Sequence, residues 1–512
     1  MKQTYALSNP LSILLDKSRE EFTREDMIRV IEEKQIERIT FHYTGLDGKF
    51  KELKLPVTNQ YQAERILADG ERVDGSSLFK GLVSSALSDL YVVPVYKTAF
   101  LNPFDNKSLD FICRYLDSNG KLAPISLDNV LHKANMKFEK STGMELWAMG
   151  ELEFFLLTKS DSSHFSTSSQ RGYHAASPFI KSGEILNEML TQISQITGAV
   201  KYAHSEVGFV KSVRSDHDEL KGKTGEQVEI EFLPTPIEDA ADNLQLARWL
   251  VRNIAHNHGQ VATFSPKIEE GVAGNGYHIH MQLMKNGVNI MNDENGKLSE
   301  SAKKVIGGLC KYATTLTAFG NTVSSAYLRL VPNQEAPTKV CWSDLNRSAM
   351  IRVPLGWSNK TNLAKSLNPQ QKSEFNENIG RQTVELRSPD GSAITHLLLA
   401  GIAMAAEWGL TNNESLELAE ELYVVGNIFK EKKILKKLPS LPKSCVESSK
   451  WLQKHRDLYE RDGVFPESII NYVVQLLKNE QDENINQRLV DLPADDRLHQ
   501  TRKIMHRNIH RH

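Results

Sequence analysis

Gly150-Glu151-Leu152-Glu153-Phe154 sets two carboxylates two positions apart with apolar residues between and after them. Successive side chains of a strand point to opposite faces, so Glu151 and Glu153 share one face while Leu152 and Phe154 share the other. The pattern returns downstream. Val228-Glu229-Ile230-Glu231-Phe232 repeats it with acids, Tyr277-His278-Ile279-His280-Met281 with imidazoles, and Val384-Glu385-Leu386-Arg387 with a carboxylate beside a guanidinium. One such segment alone reads as a strand with a solvated face. Joined in one curved sheet with their apolar sides on the core, these segments make a concave surface of acids, histidines and arginine that needs cations. Oxygen donors with an occasional imidazole suit Mg²⁺ or Mn²⁺ rather than structural zinc, which favours thiolates.

Upstream, Thr23 and Asp26 have capping-box spacing and Phe22 and Met27 the placing of a hydrophobic staple, so the sequence predicts a helix from Arg24 to about Glu33. Ile36 to Tyr43 and Phe50 to Leu55 flank Gly45-Leu46-Asp47-Gly48 and read as a hairpin. After the turn-rich Asp117-Ser118-Asn119-Gly120 the pattern changes to longer helices separated by strands, which puts a domain boundary there. The expected fold is α+β, with a small domain over residues 20–118 and a large one over 119–512. Ala240 to His258 reads as a helix with Leu244, Ala247, Val251, Ile254 and His258 on one face. Ser160 to Ser169, Lys211 to Gly225 and Asn359 to Asn378 read as polar loops. The basic, histidine-rich end, Arg502 to His512, reads as a solvated tail.

Bulk composition narrows the function. Across 512 residues, 62 basic side chains against 64 acidic ones leave a net charge of -2, which argues against nucleic acid or an anionic membrane as the main partner. Cys113, Cys310, Cys341 and Cys445 form no C-x-x-C pair, so neither a zinc ribbon nor a secreted disulfide scaffold is expected, and a cytoplasmic setting is the simplest. The apolar run His396 to Ala406 is too short to span a bilayer, and no targeting segment is expected. Arg329, Arg347 and Arg352, with Glu335 between the first two, supply guanidinium forks suited to phosphate and carboxylate oxygens. There is no G-x-x-x-x-G-K-[ST] loop, so nucleotide phosphates would be held by metals and arginines.

Asp74-Gly75-Ser76-Ser77, Gly150-Glu151-Leu152-Glu153, His204-Ser205-Glu206-Val207, Gly276-Tyr277-His278-Ile279-His280, Arg329-Leu330-Val331-Pro332, Asn346-Arg347-Ser348-Ala349 and Glu385-Leu386-Arg387 follow one another along the chain. In type and order they resemble the motifs of the class I glutamine synthetase family. The resemblance implies an N-terminal β-grasp domain and a catalytic domain with a curved antiparallel sheet flanked by helices. It also implies ATP-dependent ligation of ammonia to L-glutamate, and a homododecamer with active sites between subunits. By the same resemblance Glu153, Glu206 and Glu229 would bind one metal, and Glu151, His278 and Glu385 the other. Gly274, Arg329 and Arg387 would hold glutamate, Arg347 and Arg352 the phosphates, and His280 would sit beside the nucleotide. Asp74 from an adjacent subunit would bind and deprotonate ammonium, and Glu335 would close a flap over the site.

This sequence departs from the family pattern at several positions. Ala273 stands where an asparagine contacts glutamate, Gln282 where serine is common, Thr383 where arginine is common, and Asn333-Gln334 precede Glu335 in place of Gly-Tyr. Lys211 to Thr224 is extra, and it leaves Glu226 and Glu231 as competitors for the place given to Glu229. The loss at Ala273 motivates a second reading, a γ-glutamyl ligase that uses a primary amine or polyamine. A catalytically inactive structural oligomer is a third.

Overall fold

The computed structural model describes residues 4–83, 88–160, 165, 167–331, 336–356, 362–375, 380–426 and 432–511; Glu335 lies outside them. The helix Arg24–Lys34 forms as expected, with Thr23 and Asp26 closing a reciprocal capping box. It precedes a smaller sheet. Strands β1 (Arg38–Thr44), β2 (Phe50–Pro56), β3 (Glu71–Asp74), β4 (Asp89–Pro94), β5 (Phe100–Leu101) and β6 (Ser108–Leu116) take the order β2-β1-β6-β4-β3, with β5 against β6. β1 and β2 are the expected antiparallel hairpin, whereas β1 lies parallel to β6.

The larger sheet holds β7 (Glu145–Thr158), β8 (Val200–Val210), β9 (Thr224–Phe232), β10 (Thr235–Pro236), β11 (Val261–Thr263), β12 (Ile279–Lys285), β13 (Val288–Asn289), β14 (Trp342–Asp344), β15 (Ile351–Val353) and β16 (Val384–Leu386). Its order is β14-β15-β16-β12-β7-β9-β8, with β10 and β11 also on β7 and β13 on β12. Every pairing is antiparallel except β14 with β15. All the charged strand segments read from the sequence therefore enter one sheet. Behind it, Leu152, Phe154, Val228, Ile230, Ile279, Met281, Val384 and Leu386 are each no more than 1% exposed. Burial of this kind is worth about 1.5–3 kcal/mol per side chain, and it fixes which face the acids must take.

The helix Ile237–Asn257 packs on β7, beginning three residues earlier than expected. Contact is close because Gly150 has no side chain: a Cβ there would come within 2.7 Å of Leu244 Cδ2. His258 does not share the buried face; it is exposed at the helix end and pairs with Glu188 at 2.7 Å. The same helix ties the two sheets together. Trp249 packs on His42, whose Nε2 lies 2.7 Å from Asp110, and Asp242 pairs with Arg114 at 2.6 Å. The helices Glu300–Gly320 and Thr395–Thr411 supply much of the remaining core. Among the described residues no helix is long and apolar enough to cross a membrane.

The C-terminal end is not a solvated tail. The helix Ala494–His506 buries Thr501, Met505 and His506, and Ile509 is buried just beyond it. Ser265 Oγ donates to Met505 O at 3.1 Å, His506 Nε2 to Ile268 O at 2.8 Å, and Thr263 Oγ1 to Ile509 O at 2.7 Å. Its basic residues are taken up too, Arg502 by Glu269 and His510 by Glu219 within the extra segment. Composition suggested solvent exposure, but Thr501, Met505 and Ile509, four residues apart, fall on one face and dock it.

Candidate active site

A cleft of about 570 Å³ opens on the charged face of the larger sheet. Glu151 and Glu153 reach it from β7, Glu206 from β8, Gln227 and Glu229 from β9, and His278 from the residue before β12. Arg329 enters at the end of the short helix Ala326–Arg329, Arg347 from the loop after β14, and Arg387 from the residue after β16. Gly274, Ala273 and the buried Lys267 complete one wall.

Strand register explains the charge. Glu153 lies directly opposite Glu229 and Glu151 opposite Glu231 across β7 and β9, and like charges so placed repel unless something neutralises them. Among the described residues three groups of donors gather there, one of them the acids Glu151, Glu229 and Glu231. Ligand atoms of Glu151, His278 and Glu385 lie within 4.8 Å of one another, as do those of His204, Glu206 and Glu229. His278 Nδ1 is 2.6 Å from Glu151 and 3.6 Å from Glu385. Burial raises the Glu153 carboxyl to about 7, with Glu206 adding to the rise against the pull of His278. Glu229 is pushed well up by burial and by Glu151, Glu153 and Glu206. Burial acts the same way on Glu151, but hydrogen bonds from His278 and His280 outweigh it and hold that carboxyl well down. An assembly of carboxylate oxygens and imidazole with no thiolate, its acids crowded face to face, fits divalent cations.

The acids that compete with Glu229 differ in what they touch. Glu226 lies on the other face of β9 and accepts the backbone N–H groups of Lys181 and Ser182 at 2.9–3.0 Å. Glu231 faces the charged side and is met by Lys201 at 2.6 Å, whereas Glu229 gathers with His204 and Glu206. Glu153 sits slightly apart: its Oε2 accepts from Gly276 N at 2.8 Å and from Gln227 Nε2 at 3.1 Å. Gly276 is required there, since a Cβ would come within 2.6 Å of His278 Nε2 and 2.8 Å of Glu153.

Glu385 is 1% exposed and takes Arg387 Nε at 3.0 Å and Arg352 Nη1 at 2.9 Å. Arg387 also donates to Arg347 O, tying the two guanidinium-bearing segments together. His280 is buried behind the cleft, with Nε2 2.9 Å from Glu151 and Nδ1 2.9 Å from Thr383 Oγ1. Asp74 is exposed on the smaller sheet, away from the cleft-lining residues, and three hydrogen bonds from Ser76 and Ser77 hold it at about 2. Among the residues the sequence reading gave no role are Lys267, Gln170 and Gln227 in the cleft and His204 beside Glu206. His204 had a usable signal, its spacing two before Glu206, whereas Lys267, whose Nζ donates to Val272 O, had none.

The sequence matches the family profile described as the glutamine synthetase catalytic domain over residues 128–492. The chain belongs to the glutamine synthetase family. Its first part, residues 35–118, matches the glutamine synthetase beta-Grasp domain. It is 28% identical to the glutamine synthetase of Aquifex aeolicus over 497 residues, covering 90% of this chain and 96% of that one. Against the Escherichia coli K12 glutamine synthetase it is 28% identical over 484 residues, covering 90% and 96%. In fold it is similar to Plasmodium falciparum glutamine synthetase, with a TM-score of 0.71 at 20% identity over 93% of this chain and 98% of that one. It is also similar in fold to ligand-free GmaS, with a TM-score of 0.70 at 20% identity over 92% and 98%. Membership makes the chain a ligase by family and gives the cleft its context, since glutamine synthetases work with ATP and divalent metal.

Proposed function

We propose that this chain ligates ammonia to L-glutamate, forming L-glutamine, ADP and phosphate through a γ-glutamyl phosphate. The observation that carries the reading is one cleft that brings two acid–imidazole groups together with Arg329, Arg347 and Arg387. In this reading residues 20–118 form the β-grasp unit and 119–512 the catalytic unit. Glu151, His278 and Glu385 would hold one Mg²⁺ or Mn²⁺. Glu153, Glu206 and Glu229 would hold the other, with His204 beside them. Bound there, the cations neutralise charge on the transferring phosphoryl group.

A carboxylate is a poor electrophile, so a glutamate γ-oxygen first attacks the terminal phosphorus of ATP and ADP leaves. Arg329, Arg387 and Gly274 hold the glutamate while Arg347 and Arg352 balance the phosphate charge. Buried His280 holds Glu151 from behind and borders the nucleotide. Ammonia then attacks the acyl carbon and phosphate leaves. Asp74, carried by an adjacent subunit of a homododecamer, binds ammonium and helps take its proton as ammonia attacks; a carboxylate held near 2 is ionised and so holds the cation. Glu335 closes the site, keeping water from the acyl phosphate. The working compartment is the cytoplasm, with neither nucleic acid nor membrane as partner.

Ala273 favours a second reading, because the cleft wall at that position is a methyl group. A γ-glutamyl ligase taking a primary amine or polyamine would use the same phosphorylation step. Product identification after turnover with ammonia and with amines separates the two, and absence of turnover with either would leave an inactive oligomer.

A further inference from the structure

Gln170 belongs to a loop that reaches the cleft from outside the sheet. The loop is pinned to β8 at Ser205: Ser205 Oγ donates to Gly172 O at 2.7 Å, and His174 N donates to Ser205 O at 3.0 Å. Gln170 itself has φ +58, a left-handed conformation that side-chain-bearing residues adopt at some cost and that recurs at ligand sites. Its Oε1 accepts the Ala273 N–H at 3.2 Å. That bond crosses between cleft-lining segments 103 residues apart and fixes which way the carboxamide faces.

A carboxamide has two donor hydrogens on its nitrogen. Gln227, the other glutamine in the cleft, has spent its own: Nε2 bonds Glu153, Gly274 O and Asn275 Oδ1, each at 3.1 Å, while its Oε1 accepts from Gly208 N at 3.0 Å. Gln170 Nε2 bonds no described residue. It stands next to Ala273 and Gly274, and the Arg329 side chain runs alongside, 3.2 Å from where a Gly274 Cβ would be.

We propose that Gln170 is a specificity-determining residue whose Nε2 donates a hydrogen bond to the substrate's α-carboxylate, alongside Arg329. The γ-carboxylate must lie by the acid–imidazole groups to meet the phosphoryl group, so the α-carboxylate falls at the Ala273–Gly274 end. A neutral donor there adds direction without adding charge to a site already rich in arginine. This inference rests on the reading of the cleft as a glutamate site.

Gln170→Ala and Gln170→Glu separate the donor from a merely structural anchor. The glutamate side chain still accepts the Ala273 N–H but has no donor and repels a carboxylate. Both variants are expected to raise KM for glutamate by about tenfold or more, the usual worth of a hydrogen bond to a charged group. KM for ATP and the melting temperature should stay at wild-type values, and titration calorimetry with glutamate should show the same loss. Wild-type glutamate affinity in Gln170→Ala, or its restoration in Gln170→Glu, would overturn the inference alone. A wild-type chain with no glutamate-dependent ATP turnover would overturn the functional reading and this inference with it.

Discussion

Replacing Glu153 by Gln should stabilise the metal-free protein at alkaline pH, although the residue lines the cleft. Burial and Glu206 raise its carboxyl from 4.5 to about 7. At about 1.4 kcal/mol per tenfold change in proton affinity, the ionised group costs the metal-free fold about 3 kcal/mol at pH 8. Below pH ~4.5 it is protonated in folded and unfolded chains alike and costs nothing; stability is lost as pH rises through 7. At pH 5 the cost is under about 1 kcal/mol. Gln keeps an oxygen for Gly276 N and Gln227 Nε2 and removes the titration. For a chain of this length the gain at pH 8 corresponds to about 3 °C in melting temperature. The assay is thermal unfolding in a chelator at pH 5 and pH 8, repeated with excess Mg²⁺. In chelator the variant should melt above wild type at pH 8 and near it at pH 5; with Mg²⁺ the order should reverse, because a cation replaces the proton. A variant that melts below wild type at pH 8 without metal, or gains equally at both pH values, would refute the reasoning.

Arg352→Ala should raise KM for ATP and lower stability by about 3 kcal/mol, since it strips one guanidinium from a carboxylate that is 1% exposed; denaturant titration and ATP kinetics check both. His506→Gln should remove an acid-sensitive loss of stability. Burial holds that imidazole below its ordinary 6.5, so the unfolded chain takes the proton first and wild type loses stability as pH falls through 6.5, a slope melting curves should no longer show in the variant. Asp74→Asn and Arg347→Ala should each lower kcat by about a hundredfold or more. Mixing the two inactive proteins under dissociating conditions and reassembling them should recover a fraction of activity if Asp74 serves a neighbour's cleft; no recovery would place both residues in the same subunit's site.

The charged strands were legible because period two is a local rule: once Leu152, Phe154, Val228 and Ile230 must be buried, the intervening acids have one face left. Parity also separates Glu226 from Glu229 and Glu231. It cannot separate the last two, because Lys201, which neutralises Glu231, comes from a neighbouring strand whose register no local pattern reveals. The pattern correctly put His280 on one face with His278, since both reach Glu151. What it could not show is that the pairing of β12 with β16 brings Thr383 to the other nitrogen and buries the ring. The C-terminal helix was misread because charge dominates its composition while Met505 and Ile509, the residues that dock it, are few. Gln170 carried no signal, since its value lies in a bond to Ala273 that forms only when the chain is folded.

The most direct test is ADP release by the purified chain with ATP, Mg²⁺ and glutamate, comparing ammonia with a panel of primary amines and identifying the product by mass. Preferential formation of glutamine from ammonia is the predicted result. Turnover only with an amine would contradict the assignment of the acceptor, and no turnover with any acceptor, under Mg²⁺ or Mn²⁺, would contradict the proposed catalysis altogether.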